Sequence, residues 1–341
     1  MIIVMKPNSQ EEEIKQISNV LESLGLGVHI SQGTERTIIG VIGDKRVLND
    51  VPLELMPGVE KLVPIVESYK LAGKTFRPEP TIVNVDGVLI GGRSLLMIAG
   101  PCAVESEDQI LQAARAVKKS GAQILRGGTY KPRTSPYAFQ GLEEEGLKLL
   151  KNAQDATGLK IITEVTSEKA VETADKYVDM FQIGARNVQN FQLLREVGRS
   201  KKPVLFKRGT ATTIDEWLNA AEYIMSEGNY DVVLCERGIR TFETATRNTL
   251  DISSVPVVKH LSHLPIIIDP SHAAGKSIYV PSLSKAAIAA SADGLIVEVH
   301  PDPMNALSDA AQQLTPEIFD ELCKDISKIA EIVGREFKYG Q

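Results

Sequence analysis

The sequence predicts an α/β chain: a parallel (β/α)8 barrel preceded by a small βαββαβ domain. Eight short apolar runs recur through residues 93–341, and each ends in a residue able to bind an anion, move a proton or hold a metal. Strands buried on both faces read as continuous Val/Ile/Leu runs, and barrels of this type carry their chemistry at the C-terminal ends of the strands. Helical patterns separate the runs, and the whole segment has the roughly 250 residues usual for the fold. Eight units without a GxGxxG turn argue against a doubly wound open sheet.

The front of the chain supplies the second domain. Residues 2–4 read as a strand, and Ser9 with Glu12 forms a capping box before a helix whose Ile14, Ile17, Leu21 and Leu24 share a face until Gly25 ends it. Strands are expected at 28–31 and 37–42, a helix near 45–55 and a strand at 59–66, which is the ferredoxin-like order over residues 1–66. Residues 67–92 then hold a mixed linker with Pro78 and Pro80, followed by a hairpin at 82–90 turning on Asp86-Gly87 and suited to plugging the barrel floor.

The barrel strands are expected at 95–99 (then Gly100, Pro101, Cys102), 122–125 (Arg126), 160–163 (Glu164), 180–185 (Arg186), 203–206 (Lys207), 232–234 (Glu236, Arg237), 265–268 (Asp269, His272) and 294–297 (Glu298). Ser106 with Gln109 caps the first crossover helix, which Gly121 closes. Further helices read at 143–157, 167–177, 189–197, 214–227, 283–291 and 316–333. The sixth crossover, around 245–261, has the weakest helical pattern.

No apolar run approaches the 18 or so residues of a membrane span, and no leader-like start is present, so a soluble cytoplasmic protein is expected. Three cysteines, an odd number, argue against a disulfide framework, and the net charge of −6 gives no reason to expect nucleic acid or an anionic membrane as a partner. Yet Arg126, Lys131, Arg133, Arg186, Lys207, Arg208 and Arg237 all fall at or just past strand ends, which a barrel gathers round one mouth. Single surface cations are usually solvated; seven on one rim of an acidic protein point to a substrate with several negative charges.

Cys102, His272, Glu298 and Asp309 reach the same mouth, the first three from runs one, seven and eight, neighbours in a closed barrel. Thiolate, imidazole and carboxylate together suit a divalent Mn, Fe, Co or Zn ion, although a lone cysteine or histidine is more often a buried structural residue. His300, two residues beyond Glu298, is a rival ligand or a supporting partner. Cys235 reads as a strand residue and Cys323 as a helix residue.

Gly100-Pro101-Cys102, Leu125-Arg126-Gly127-Gly128, Lys131-Pro132-Arg133-Thr134-Ser135-Pro136, Gln182 to Asn187, Lys207-Arg208-Gly209, Cys235-Glu236-Arg237-Gly238, Asp269-Pro270-Ser271-His272 and Val297 to Pro301 stand in barrel order. Together they resemble the 3-deoxy-D-arabino-heptulosonate 7-phosphate (DAHP) synthase family across essentially the whole chain, in its short microbial type with a ferredoxin-like regulatory domain before the TIM barrel. The resemblance implies condensation of phosphoenolpyruvate with erythrose 4-phosphate and water, the first step toward the aromatic amino acids. It places phosphoenolpyruvate on Arg126, Lys131, Arg186, Lys207 and Arg237, and the aldose phosphate on Arg133 and Thr134 beside Pro132. It makes Cys102, His272, Glu298 and Asp309 the metal ligands. Lys131, Glu164, Lys207 and His272 form the catalytic set, with Lys131 placed to protonate the new alkoxide and Glu164 to position water; a purely electrostatic role for the lysine stays open.

Three other readings compete. The sister synthase that uses arabinose 5-phosphate to make 3-deoxy-D-manno-octulosonate 8-phosphate characteristically has Lys-Ala-Asn-Arg-Ser-Ser where this chain has Lys131-Pro132-Arg133-Thr134-Ser135, and it usually lacks the front domain. A metal aldolase working without phosphoenolpyruvate needs fewer arginines, and a non-enzymatic metabolite-binding module would not fill every catalytic position. In the front domain, His29 and Ser31 fall where a tyrosine-type effector binds in regulated relatives, so tyrosine or phenylalanine is the expected effector. A domain kept for assembly alone is the competing reading. Family analogy gives a homotetramer.

Overall fold

Each of the eight apolar runs forms one strand of a closed parallel barrel, and the polar residue ending each run emerges at one rim. The computed structural model describes all residues except 34–35, 44, 49–50, 64–67, 132–134 and 341. The chain falls into two units, Met1–Ser68 and Tyr69–Gln341.

The first unit holds β1 (Ile2–Met5), α1 (Glu11–Ser23), β2 (Gly27–Gln32), β3 (Thr37–Ile42) and β4 (Val59–Val63). The strands make an antiparallel sheet in the order β2-β3-β1-β4. Helix α1 buries Ile14, Ile17 and Leu21 against Ile3, Met5, Ile39 and Val41, as its apolar spacing requires. Two expectations need correction. Gln10, not Ser9, precedes the helix, and its N–H donates to the Glu13 carboxylate at 2.8 Å, because the Ser9 hydroxyl is engaged by the Lys6 carbonyl at 2.8 Å. In place of a helix near 45–55 there are two 3-10 turns, Lys45–Leu48 and Leu53–Leu55. Pro52 lacks an N–H and its ring blocks a helix running through it. The last part of the strand expected at 59–66 lies outside the described residues.

The second unit opens with β5 (Val83–Val85) and β6 (Val88–Ile90), whose turn residues Asp86 and Gly87 have φ of 45° and 96°. Two consecutive left-handed residues are what a two-residue type I′ hairpin needs. The barrel follows as β7 (Leu96–Gly100), α2 (Glu107–Lys119), β8 (Ile124–Arg126), α3 (Glu143–Thr157), β9 (Lys160–Glu164), α4 (Glu168–Ala174), β10 (Met180–Ile183), α5 (Phe191–Ser200), β11 (Val204–Lys207) and α6 (Ile214–Ser226). It continues with β12 (Val232–Glu236), α7 (Ser254–Leu261), β13 (Ile266–Ile268), α8 (Pro270–Ala274), α9 (Val280–Ala289), β14 (Gly294–Glu298) and α10 (Pro316–Ile332). Strand β14 closes onto β7 in register, Glu298 opposite Gly100.

Alternation along the strands divides the core. Leu96, Ile98, Ile124, Ile162, Leu205, Val233 and Ile296 form one apolar cluster with Val83, Val85 and Ile90, so the hairpin packs into the barrel interior as its sequence position suggested. Met97, Leu125, Phe181 and Phe206 point outward to the helices, where Trp217 is the largest fully buried side chain. The Ser106 hydroxyl caps α2 through the Gln109 N–H at 3.2 Å. The expected box is only half made, because the Gln109 side chain bonds Glu105 and Ala103 instead. The sixth crossover is helical only from Ser254, which leaves 238–253 as a loop at the mouth. From Tyr69 onward the stretch read as linker is anchored: Tyr69 and Ala72 join the barrel core, and the Glu222 carboxylate accepts the N–H groups of Lys70 and Ala72 at 2.9 and 2.7 Å.

Candidate active site

The strand ends surround a cavity of about 300 Å³ lined by Lys131, Glu164, Arg186, Lys207, Arg237, Arg247, His272 and Asp309. Five of these are permanent cations, so the cavity has the charge and the donor geometry to hold carboxylate and phosphate groups. Arg126 lies deeper, only 5% exposed, and lines a smaller adjoining hollow with Lys131, Glu164 and Gln182. Pro132, Arg133 and Thr134 lie outside the described residues.

One rim cation is turned inward. Arg208 donates to Glu236 at 3.0 Å, to Asp251 at 2.8 Å and to the Thr212 carbonyl at 2.8 Å, and does not line the cavity. The sequence position put it beside Lys207, but the strand's alternation sends successive side chains to opposite sides. Arg247 takes a place at the mouth that sequence reading missed. It sits in the loop before α7, where neither periodicity nor a strand end marks it.

Cys102, Glu298 and Asp309 bring one ligand atom each to within 4.8 Å of one another. They meet because β14 and β7 are paired neighbours and the segment after β14 folds back across them. His272 stands beside the group, with Nε2 3.5 Å from Glu298 Oε1 and Nδ1 2.7 Å from the Asp269 carboxylate. Burial lowers the His272 pKa, with Asp269 opposing it, and this direction favours the neutral ring whose Nε2 lone pair a metal needs. Burial works against charge on Asp269, yet His272 and Lys207, the latter at 2.5 Å, hold its carboxyl well below the usual range.

The donor set fits a divalent cation. Glu298 Oε1 is buried and lacks a properly directed hydrogen bond, although Arg126 Nη1 lies 3.0 Å away at a poor angle. Burial and then the Glu298 charge push the Cys102 thiol up to about 12, although Lys131 and Arg126 work in the opposite direction. Lys131 Nζ donates to the Cys102 carbonyl and sulfur, both at 3.0 Å. His300 is not in the ligand group. Its Nδ1 accepts the Asp302 N–H at 2.9 Å and its Nε2 faces Glu105 at 3.4 Å.

Glu164 projects into the cavity with its carboxylate held by the Gln182 amide at 3.2 Å. Residue 184, on the same face as Gln182, is glycine, and a Cβ there would collide with Glu164 Oε1. Cys235 and Cys323 are buried in β12 and α10, away from the ligand group. In the first unit, His29 and Ser31 share a face of β2, an edge strand of the sheet, and both are exposed. No helix among the described residues is long and apolar enough to cross a membrane.

Comparison with known proteins agrees with this fold. Residues 76–333 match the DAHP synthetase I family and residues 1–67 the DAHP synthase ferredoxin-like domain. The chain is 49% identical to a phospho-2-dehydro-3-deoxyheptonate aldolase of Thermotoga maritima over 334 residues, covering 98% of this chain and 99% of that protein. A crystal structure of the DAHP synthase from Thermotoga maritima superposes with a TM-score of 0.92 at 48% identity, covering 99% of both chains. A 2-dehydro-3-deoxyphosphooctonate aldolase of Syntrophotalea carbinolica is 33% identical, covering 74% of this chain and 98% of its own.

Proposed function

The chain belongs to the DAHP synthetase I family, and on that premise we propose how its mouth condenses phosphoenolpyruvate with erythrose 4-phosphate and water, yielding DAHP and inorganic phosphate. The observation that carries the reading is the cation-lined cavity lying directly against the Cys102, Glu298 and Asp309 group. Arg126, Lys131, Arg186, Lys207 and Arg237 hold the carboxylate and phosphate of phosphoenolpyruvate. Arg133 and Thr134, next to Pro132, take the phosphate of the aldose. Cys102, His272, Glu298 and Asp309 hold a divalent Mn, Fe, Co or Zn ion, which when bound supplies Lewis-acid polarisation of the aldehyde.

The remaining work falls to the chain. Carbon three of phosphoenolpyruvate attacks the aldehyde carbon, water adds at carbon two, and phosphate departs with its carbon–oxygen bond broken. Lys131, beside Cys102, delivers a proton to the new alkoxide, and Glu164, aligned by Gln182, orients the water. Lys207 is kept in place by Asp269, whose carboxylate also lies 2.7 Å from His272 Nδ1.

Phosphate release measured with phosphoenolpyruvate and each aldose tests the assignment. Turnover must require erythrose 4-phosphate, and equal or better turnover with arabinose 5-phosphate would transfer the chain to the octulosonate branch, whose Syntrophotalea carbinolica member aligns with only 74% of this chain. For the front unit, the ferredoxin-like match supports an effector function, with tyrosine or phenylalanine bound near His29 and Ser31. A homotetramer working in the cytoplasm completes the reading.

A further inference from the structure

Two consecutive glutamines, Gln312 and Gln313, are each 2% exposed and reach in different directions. Gln312 Nε2 donates to Glu298 Oε2 at 2.7 Å while its Oε1 accepts from Arg247 at 3.0 Å. Gln313 Oε1 accepts the Cys102 N–H at 3.0 Å while its Nε2 donates to the Ser308 carbonyl at 2.9 Å. The amide orientations are forced, since a carboxylate and a carbonyl only accept whereas a guanidinium and a backbone N–H only donate. Both glutamines ride on the turn that starts at Asp309, whose φ of 48° and ψ of 36° place a non-glycine residue in the left-handed region. Leu314 then fixes the turn to β14 through its N–H to the Glu298 carbonyl at 2.8 Å.

We propose that Gln312 and Gln313 are positioning residues that set the affinity of the cation site, Gln312 by aiming the Glu298 carboxylate and Gln313 by fixing the backbone that carries the Cys102 thiolate. Each position needs a donor and an acceptor in one neutral group, and the primary amide of glutamine supplies both at the length that spans its partners. A glutamate at 312 would set two carboxylates against each other, and an apolar residue would leave the Glu298 oxygen unpaired. The Asp309 turn delivers its own carboxylate and both amides in one five-residue segment, so three ligands are positioned together. Partners of this kind typically change metal affinity by about 10–100-fold when removed.

The inference rests on the Cys102, Glu298 and Asp309 group being the metal site, and the test separates the two. Co(II) and Zn(II) affinities of the metal-stripped full-length protein are measured by competition with a chromophoric chelator, and the cobalt spectrum is recorded. If the parent protein binds no stoichiometric ion, the site reading itself fails. If it binds, Gln312→Met and Gln313→Met should each lose about 10–100-fold in affinity. The cobalt–thiolate absorption should persist in the Gln312 variant and weaken in the Gln313 variant. Affinities within twofold of the parent, or identical spectral changes in both variants, overturn the proposal. Should a methionine variant fail to fold, Gln312→Asn keeps the amide one carbon too short to span Glu298 and Arg247, and must still lose at least fivefold.

Discussion

Arg208→Met isolates a buried ion network from the chemistry next to it. The guanidinium is 6% exposed and serves Glu236, which is fully buried, and the partly exposed Asp251. Removing one partner of a buried pair costs about 3–5 kcal/mol because the other charge stays behind. The Thr212 carbonyl loses a donor as well, worth about 1 kcal/mol. Against this, Glu236 keeps the Gly238 N–H at 2.6 Å, and Asp251 keeps some access to water, so about 3–4 kcal/mol is expected overall. Urea denaturation should show the loss as a lowered midpoint. Its pH dependence has a definite sign. Burial already raises the Glu236 pKa despite Arg208, so this group contributes fully below its unfolded value and loses stability as pH rises through the folded one. Without Arg208 the folded pKa rises further. Burial opposes charge on Asp251, but Ser253 and Arg208 together lower its pKa, and the Arg208 part of that stabilisation, present above the unfolded value, disappears too. The penalty must therefore grow as pH rises above the ordinary carboxylate range. Because Arg208 does not line the cavity, KM for phosphoenolpyruvate should stay within about twofold. An unchanged urea midpoint, a pH-independent penalty, or a tenfold KM rise at full stability would each refute the argument.

Other outcomes follow from the site. Binding of a divalent ion should release the Cys102 proton, since burial pushes that thiol up to about 12; apparent affinity then rises by up to tenfold per pH unit between pH 6 and 8, and Cys102→Ser should abolish that slope while Cys235→Ser keeps it. Arg133→Ala should raise KM for erythrose 4-phosphate well above any change for phosphoenolpyruvate in steady-state kinetics, the reverse pattern reassigning the two anion sites. Gly184→Ala has an ordinary backbone but drives a methyl into Glu164, so kcat should fall by roughly 10²-fold with the circular dichroism spectrum intact; unchanged kcat removes Glu164 from the mechanism. Tyrosine should inhibit the intact enzyme, the response should be lost on His29→Ala with Ser31→Ala, and deletion of residues 1–66 should leave an active, unresponsive barrel; an intact enzyme that ignores aromatic amino acids makes the front unit structural.

The barrel, its strand order and the residues at the strand ends were legible in the sequence, because a strand buried on both faces must be continuously apolar and must stop where a polar side chain reaches the rim. Asp86-Gly87 announced its hairpin for an equally local reason: the turn needs two left-handed residues. Cys102, His272 and Glu298 could be placed at neighbouring strand ends because the barrel's closure follows from counting strands.

Tertiary structure alone decided which polar groups face the cavity and which face each other. Nothing near Arg208 foretells Asp251, 43 residues away, and nothing near Cys102 foretells Gln313, 211 residues away. Arg247 enters the mouth from a loop without periodicity, and the 45–55 segment, helical in pattern, forms two 3-10 turns on either side of Pro52. Hydrophobic pattern is a one-dimensional property, since each residue's burial is set by its own strand or helix. Hydrogen-bond partnership is a pairwise property that exists only after the chain has closed, which is why Cys102 and Glu298 were readable and the amides bonded to them were not.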